Sequence, residues 1–381
     1  MINLQTYIDY TLSDAQREKL IKLDNEFGEV MHMFRNDRNY NDIINIDSEC
    51  KKFTNARKNG ETYVPLFKMH KNKFSSNNIL KRMLLLKSEF VRFNCFLSKY
   101  YIENLNYFLD KVEFTLKKND GVKDVTHFDN ELPNDVYKLA LKTVKDNPYI
   151  VIDEENDRPH DAEYCKEKLQ AALDELKYPW KVIITTEMLP RVGVKECKEV
   201  LVRKDAKFSD IDIDGLIQHE IKGHVGRRYY GMKTGLNLFW YGLYNRNYLD
   251  EGLAVWNSLN LVKKIKPNVL YNIAMKYIVV YHINKMSFNE LFDFCRSISK
   301  EIPDDKLFNI IARAKRDIQD MHLLGGWSDN AGYFGGYQII KKMTDSQRDD
   351  VLKYNIGPDH IKDLPKIKKF FELNKFESLL K

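Results

Sequence analysis

Cysteine is scarce in this chain and shows no pairing pattern. Cys50, Cys95, Cys165, Cys197 and Cys295 are scattered, odd in number and form no C-x-x-C. That pattern fits reduced thiols better than a disulfide framework or a thiolate metal site, so a cytoplasmic location is expected. No run of about 18 or more apolar residues occurs, which excludes a membrane-spanning helix. The stretch MINLQTYIDYTLSDAQREKL carries acidic residues and no apolar h-region, so no secretory signal is expected. A large excess of one charge is also missing: 61 basic against 55 acidic residues leave +6. Such a balance favours an acidic partner without naming one. The basic runs KMHKNK (Lys68 to Lys73) and KDLPKIKKF (Lys362 to Phe370) are short and read as solvated helix faces. Neither a nucleic-acid nor a membrane partner is expected, and there are no repeats or low-complexity tracts.

What is present is an ordinary globular composition, 43% hydrophobic and 30% charged over 381 residues, long enough for two or three units with a sizeable core. Residues 8 to 118 read as helical. Within them NNILKRMLLLKSEFVRFNCFLSKYYIENLNYFLDKVEFTL (Asn77 to Leu116) keeps apolar residues at three- and four-residue spacing, and its many Phe and Tyr read as core. KKNDGVKD (Lys117 to Asp124) breaks the pattern and divides a helical amino-terminal region, 1–120, from a second domain, 121–381. After the break, ELPNDVYKLALKTVKD and DAEYCKEKLQAALDEL read as helices. WKVIITTEM (Trp180 to Met188) and KEVLVRK (Lys198 to Lys204) read as strands joined by a turn at Pro190 and Gly193. Ser209 and Asp212 then form a capping box ahead of LIQHEIKGHVGRRYYG, Leu216 to Gly231. From Asp250 onward the chain reads as mostly helical, interrupted by the glycine-rich LLGGWSDNAGYFGGY (Leu323 to Tyr337).

His219 and Glu220 are adjacent, and His224 follows five residues after His219. Zinc peptidases of the H-E-x-x-H type place the second histidine four residues on. On a regular α-helix a four-residue offset turns the side chain by roughly 40° and a five-residue offset by roughly 140°, too far for two imidazoles to share an ion. A π-bulge absorbs one residue, and Gly223 makes such a distortion least costly. A third ligand is offered by Glu251 in NYLDEGLAVWN, since a carboxylate in an apolar stretch is costly to bury unless a cation meets it. Glu220 would then face a water that the metal acidifies and accept its proton. The bland alternative is a helix that carries two unrelated histidines. His32, His70, His127, His160, His282, His322 and His360 have no comparable neighbours and read as surface or satisfied core residues.

The stretch AKFSDIDIDGLIQHEIKGHVGR (Ala206 to Arg227), followed by DEGLAVW (Asp250 to Trp256), resembles the tyrosine-carboxypeptidase metallopeptidases related to the microtubule-associated tubulin carboxypeptidases, whose bacterial relatives are known by a QEGLA motif. Similarity also runs through LQAALDELKYPWKVIITTEMLPRVGV, GGWSDNAGYFGGYQII and IGPDHIKDLPKI, covering residues 130 to 381. The resemblance implies a predominantly helical α+β fold, zincin-like, with a small sheet before the histidine helix. It implies one zinc ion held by His219, His224 and Glu251, with Glu220 catalytic and Arg227 matching a family arginine. It further implies removal of a terminal aromatic residue, such as tyrosine, from an acidic protein tail, with α-tubulin on microtubules as the candidate partner. Two departures stand out. Asp250 replaces the usual Gln or Glu, and the family's G-G-x-x-K-D becomes Gly325-Gly326-Trp327-Ser328-Asp329-Asn330, which loses a lysine.

A terminal carboxylate needs a cation and a terminal ring needs an apolar slot. Arg191, Arg227, Arg228 and Lys222 are the cations nearest the motif, and Phe239, Trp240, Tyr241, Tyr333 and Phe334 are the aromatics available for a slot or for core packing. Two rival readings stay open: a zinc endopeptidase of other specificity, and a catalytically silent protein that binds acidic tails on microtubules.

Overall fold

A computed structural model of the chain describes residues 10–380 apart from 38–42, 69–75, 120–131, 152–156, 187, 189, 196, 197, 317 and 319. His70, His127, Cys197 and most of the KMHKNK run and the KKNDGVKD break lie outside those residues. Four helices come first: α1 (Asp14–Asp37), α2 (Ile46–Lys58), α3 (Ser76–Phe93) and α4 (Ser98–Asn119). The long apolar run is divided at Asn94, whose left-handed φ of 45° stops α3. Ser98 Oγ then accepts the Cys95 N–H at 2.9 Å as the chain turns into α4. Helices α5 (Asn134–Asp146) and α6 (Ala162–Glu175) follow where their apolar spacing puts them, and Asp161 caps α6 by accepting from the Tyr164 N–H.

Three strands form a small sheet in the order β1-β3-β2: β1 (Lys181–Thr185), β2 (Val192–Lys195) and β3 (Glu199–Arg203). The expected turn at Pro190 and Gly193 between two strands is instead partly a third strand. Gly193 lies inside β2, where Val192 and Val194 pair antiparallel with Val202 and Val200, and β1 runs parallel to β3. Two valines around one glycine are too short a pattern to stand out as a strand.

A continuous helical rod leaves the sheet: α7 (Asp210–Leu216), a π-helix (Ile217–Val225) and α8 (Gly226–Lys233). The remainder comprises α9 (Asn237–Tyr241), α10 (Arg246–Asn260), α11 (Val269–His282), α12 (Phe288–Ile298), α13 (Asp304–Ala314), α14 (Ala331–Lys341), α15 (Asp345–Tyr354), a 3-10 segment (Pro358–Asp363) and α16 (Leu364–Leu373). The architecture is α+β and predominantly helical. The glycine-rich interruption is loop only as far as Asn330, because Gly332, Gly335 and Gly336 sit within α14. A Cβ on Gly336 would strike the Tyr248 carbonyl, and one on Gly252 would strike the Gly336 backbone, so these glycines let α10 and α14 cross backbone to backbone.

Three apolar cores build the fold, and α10 contributes to two of them. Leu249 and Leu253 face a core built with Phe27, Phe90, Tyr101, Phe239 and Phe370. Val255 and Leu259 face a second with Phe53, Ile278, Phe308 and Phe334. The sheet, α6 and the rod make the third, to which the π-helix contributes Ile221 and Val225. Helices from the first 120 residues thus share two of the cores with the rest of the chain.

Buried Asp24 ties α1 to this frame. Its carboxylate accepts from Tyr101 Oη at 2.6 Å and from the backbone N–H groups of Asn237 at 2.6 Å and Leu238 at 3.0 Å. Burial outweighs these donors and raises its pKa from 3.8 to about 6. The protonated form therefore favours the fold: this group's stabilisation is full below about pH 4 and is lost as pH rises towards 6. Relative to Asp24→Asn, the parent should lose roughly 2 kcal/mol of its unfolding free energy between pH 4 and 6.5. Denaturant titrations across that range test this, and a parent-minus-variant difference that stays constant would contradict it.

Candidate metal centre

The rod is anchored at its start. Ser209 Oγ accepts the Asp212 N–H at 3.1 Å and Asp212 Oδ2 accepts the Ser209 N–H at 3.2 Å, completing the expected capping box. Asp212 also meets Arg158 at 3.0 Å, Arg191 at 3.0 Å and Lys266 at 2.6 Å. Burial opposes its charge, but Arg191 and Lys266 prevail and hold the carboxyl well below the usual range.

The two histidines lie in the π-helical part, Ile217–Val225. Bonding from i to i+5 absorbs the extra residue and returns His224 to the face of His219, and the two rings sit with centroids 5.0 Å apart. Gly223 has a second role beyond conformational freedom. A Cβ there would lie 3.0 Å from Ala254 Cβ and 3.1 Å from Ala254 Cα, so glycine is what allows α10 to lie against the π-helix. Across this contact Asn257 Nδ2 donates to the Gln218 carbonyl at 3.3 Å.

The approach brings Glu251 to the histidines. Its Oε2 lies 3.6 Å from His219 Nε2 and 3.7 Å from His224 Nε2. One ligand atom from each residue falls within 4.8 Å of the others. Glu251 Oε2 is buried without a hydrogen bond. Ligands at 2.0–2.1 Å around a tetrahedral zinc are about 3.4 Å apart, close to these separations. An orphaned carboxylate oxygen facing two imidazole nitrogens is the donor set that such an ion requires.

The neighbouring groups orient these three. His224 Nδ1 lies 3.1 Å from Asp250 Oδ1, and Asp250 is flanked by Arg227 Nη1 at 3.6 Å and Arg246 Nη1 at 3.4 Å. Ser258 Oγ is 3.4 Å from His219 Nδ1. Burial resists charge on every member, yet Asp250 and Glu251 lift the His224 pKa to about 9, and His224 in turn holds Asp250 and Glu251 low. Glu220 is buried beside the pair, and that burial raises its carboxyl above its ordinary value, with His219 and His224 opposing. A carboxylate shifted upwards is suited to accepting a proton near neutral pH.

The residues expected at the substrate are placed unevenly. Tyr333 is at the centre: its ring lies parallel to that of His219, centroids 6.4 Å apart, and burial together with the Glu251 charge keeps its phenol protonated. Arg227, by contrast, is completely buried and donates to the Ile356 carbonyl at 2.9 Å, behind the ligands. Arg228 is buried against the His224 carbonyl at 3.2 Å. Arg191 grips both oxygens of Asp212. Phe239, Tyr241 and Phe334 are core residues. Asp329, at the position where a lysine was expected, pairs with Arg316 at 3.1 Å.

Two cations escaped notice in the sequence. Lys276 Nζ on α11 lies 3.8 Å from the Tyr333 ring centroid, and Arg313 on α13 is close enough to act electrostatically on both Lys276 and Tyr333. Burial first, then Arg313, pushes the Lys276 pKa down to about 7, while Glu251 opposes. A lone lysine in LYNIAMKYIVVYH was the available signal.

The family model described as microtubule-associated tyrosine carboxypeptidase matches residues 123–374, which contain every residue of this cluster. A comparison with curated proteins found no match. Asp250 meets His224 Nδ1, so for a zinc ion held by His224 the Asp250→Asn variant is expected to bind about 10- to 100-fold more weakly. Competition with a chromophoric chelator measures this, and an unchanged affinity would remove Asp250 from the site.

Proposed function

The chain belongs to the microtubule-associated tyrosine carboxypeptidase family, and from that premise we propose that it is a zinc-dependent carboxypeptidase. In this reading it removes a C-terminal aromatic residue, tyrosine above all, from an acidic protein tail of the α-tubulin kind. The observation that carries the reading is the convergence of His219, His224 and Glu251 on one point with buried Glu220 beside them. His219, His224 and Glu251 would hold the ion. When bound, zinc supplies Lewis acidity, acidifying water and polarising a carbonyl.

The chain's own residues supply the rest. Glu220 accepts the proton from the attacking water on its carboxylate and returns it to the departing amine. Its raised pKa serves both directions of that transfer. Tyr333, kept as a phenol, donates a hydrogen bond to the carbonyl oxygen as negative charge develops there. Asp250 fixes the ring of His224 through Nδ1, leaving Nε2 facing Glu251. The mild excess of basic charge favours an acidic tail as partner.

Metal analysis should find near-stoichiometric zinc, lost when His219 and His224 both become alanine. Glu220→Gln should retain the zinc while lowering kcat at least about 100-fold. Mass spectrometry of a peptide ending in Glu-Glu-Tyr, set beside its C-terminal amide, reads the activity: loss of one tyrosine from the free acid alone is expected. Equal cleavage of acid and amide would defeat the carboxypeptidase reading. A well-folded protein that binds no zinc would defeat the metal reading.

A further inference from the structure

We infer that Lys276 and Arg313 form the subsite that receives the terminal carboxylate of the substrate. The inference rests on the carboxypeptidase reading and adds to it the residues that distinguish a chain end from an internal peptide bond.

Lys276 is the only charged residue in α11, between the buried Met275 and Tyr277 and one turn from Ile273. Its ammonium makes no hydrogen bond or ion pair among the described residues, and its recorded contact is the Tyr333 ring at 3.8 Å. Arg313 is exposed near the carboxy-terminal end of α13, which packs on α11, and likewise has no ion pair or hydrogen bond among the described residues. Arg313 acts against the charge on Lys276, and neither cation has an ion pair to a carboxylate among the described residues. Glu251, which acts on Lys276 electrostatically, is turned towards His219 and His224. The arginines near the motif are already engaged: Arg227 and Arg228 on backbone carbonyls, Arg191 on Asp212, and Arg316 on Asp329.

Position agrees with charge. In a substrate the terminal carboxylate lies one residue beyond the scissile carbonyl, and consecutive Cα atoms are about 3.8 Å apart. Here Lys276 lies one side chain, the Tyr333 ring, beyond His219. In the proposed subsite the carboxylate sits at Lys276, on the Tyr333 side of the ligand cluster, with the preceding carbonyl towards His219. A guanidinium and an ammonium converging on one carboxylate give charge-assisted hydrogen bonds that an amide cannot replace.

The test measures binding separately from turnover. Zinc-loaded full-length protein carrying Glu220→Gln is titrated into a fluorescent acidic peptide ending in Tyr, as the free acid and as the amide, and anisotropy is read. The free acid should bind at least about tenfold more tightly. Adding Lys276→Met or Arg313→Gln should each erase most of that ratio, and Lys276→Arg should restore part of it. Arg313 is exposed, so its variant tests the idea without disturbing the core. A preference for the acid that survives both Lys276→Met and Arg313→Gln, at unchanged zinc content and circular dichroism, overturns the assignment alone. No preference for the acid in the Glu220→Gln background overturns the carboxypeptidase reading and this assignment with it.

Discussion

The contact between Gly223 and Ala254 is the constraint on which the site depends. A side chain at position 223 would meet the Cα of Ala254 at 3.1 Å, so α10 would have to give way by a few tenths of an ångström. Displacing α10 would carry Glu251 away from the histidines and Asp250 away from His224 Nδ1. The π-turn is the second half of the same constraint. It brings two imidazoles, five residues apart, onto one face, and that face is the one α10 covers. On its other side α10 crosses α14 through Gly252 and Gly336, and this crossing sets Tyr333 beside His219. Close backbone approaches on both sides of one helix therefore assemble side chains from three elements.

Such packing concentrates charge in a small volume. Glu220, His224, Arg227, Arg246 and Asp250 are all buried, with Glu251 only partly exposed. Isolated buried ions would each cost several kcal/mol, so they survive only as a mutually compensating set. Asp250 is the pivot, meeting His224 on one side and Arg227 and Arg246 on the other. In this arrangement Arg227 acts as a counter-charge to Asp250, which explains why an arginine three residues after the second histidine can be completely buried. Glu251 Oε2 faces the two imidazoles without a hydrogen-bond donor, and that electrostatic vacancy is what the proposed metal ion would fill.

Much of this was legible in the residues, for physical reasons that also mark the limits. Helices with clear apolar spacing, the capping box at Ser209 and the distortion around Gly223 are local properties, and the structure has them. The strand Val192–Lys195 was missed because four residues with one glycine carry little pattern. The helix Ala331–Lys341 was hidden because its glycines serve a crossing with α10, a partner some 80 positions away in sequence. Sequence proximity misled most for the cations. Arg191, Arg227 and Arg228 are near the motif along the chain, yet pairing with Asp212, Asp250 and backbone carbonyls occupies them. The same reasoning that singled out Glu251, a charge in an apolar stretch, applies to Lys276 in α11, and that reasoning needs no motif.

Lys276 also shows why burial sharpens discrimination. An exposed ammonium is solvated equally well with or without a ligand, so exchanging a carboxylate for an amide changes little. A partly buried one beside Arg313 has lost some of that hydration and carries a standing repulsion. In the proposed subsite a carboxylate relieves both penalties at once, whereas an amide leaves the partly buried Lys276 unpaired. The energetic gap between a chain end and an internal bond then arises from the enzyme's own unmet charge, and it is largest where the fold has kept any internal carboxylate away. Glu251, which acts on Lys276 electrostatically, lies instead against the two imidazoles, and in the proposed subsite that leaves Lys276 for a substrate carboxylate.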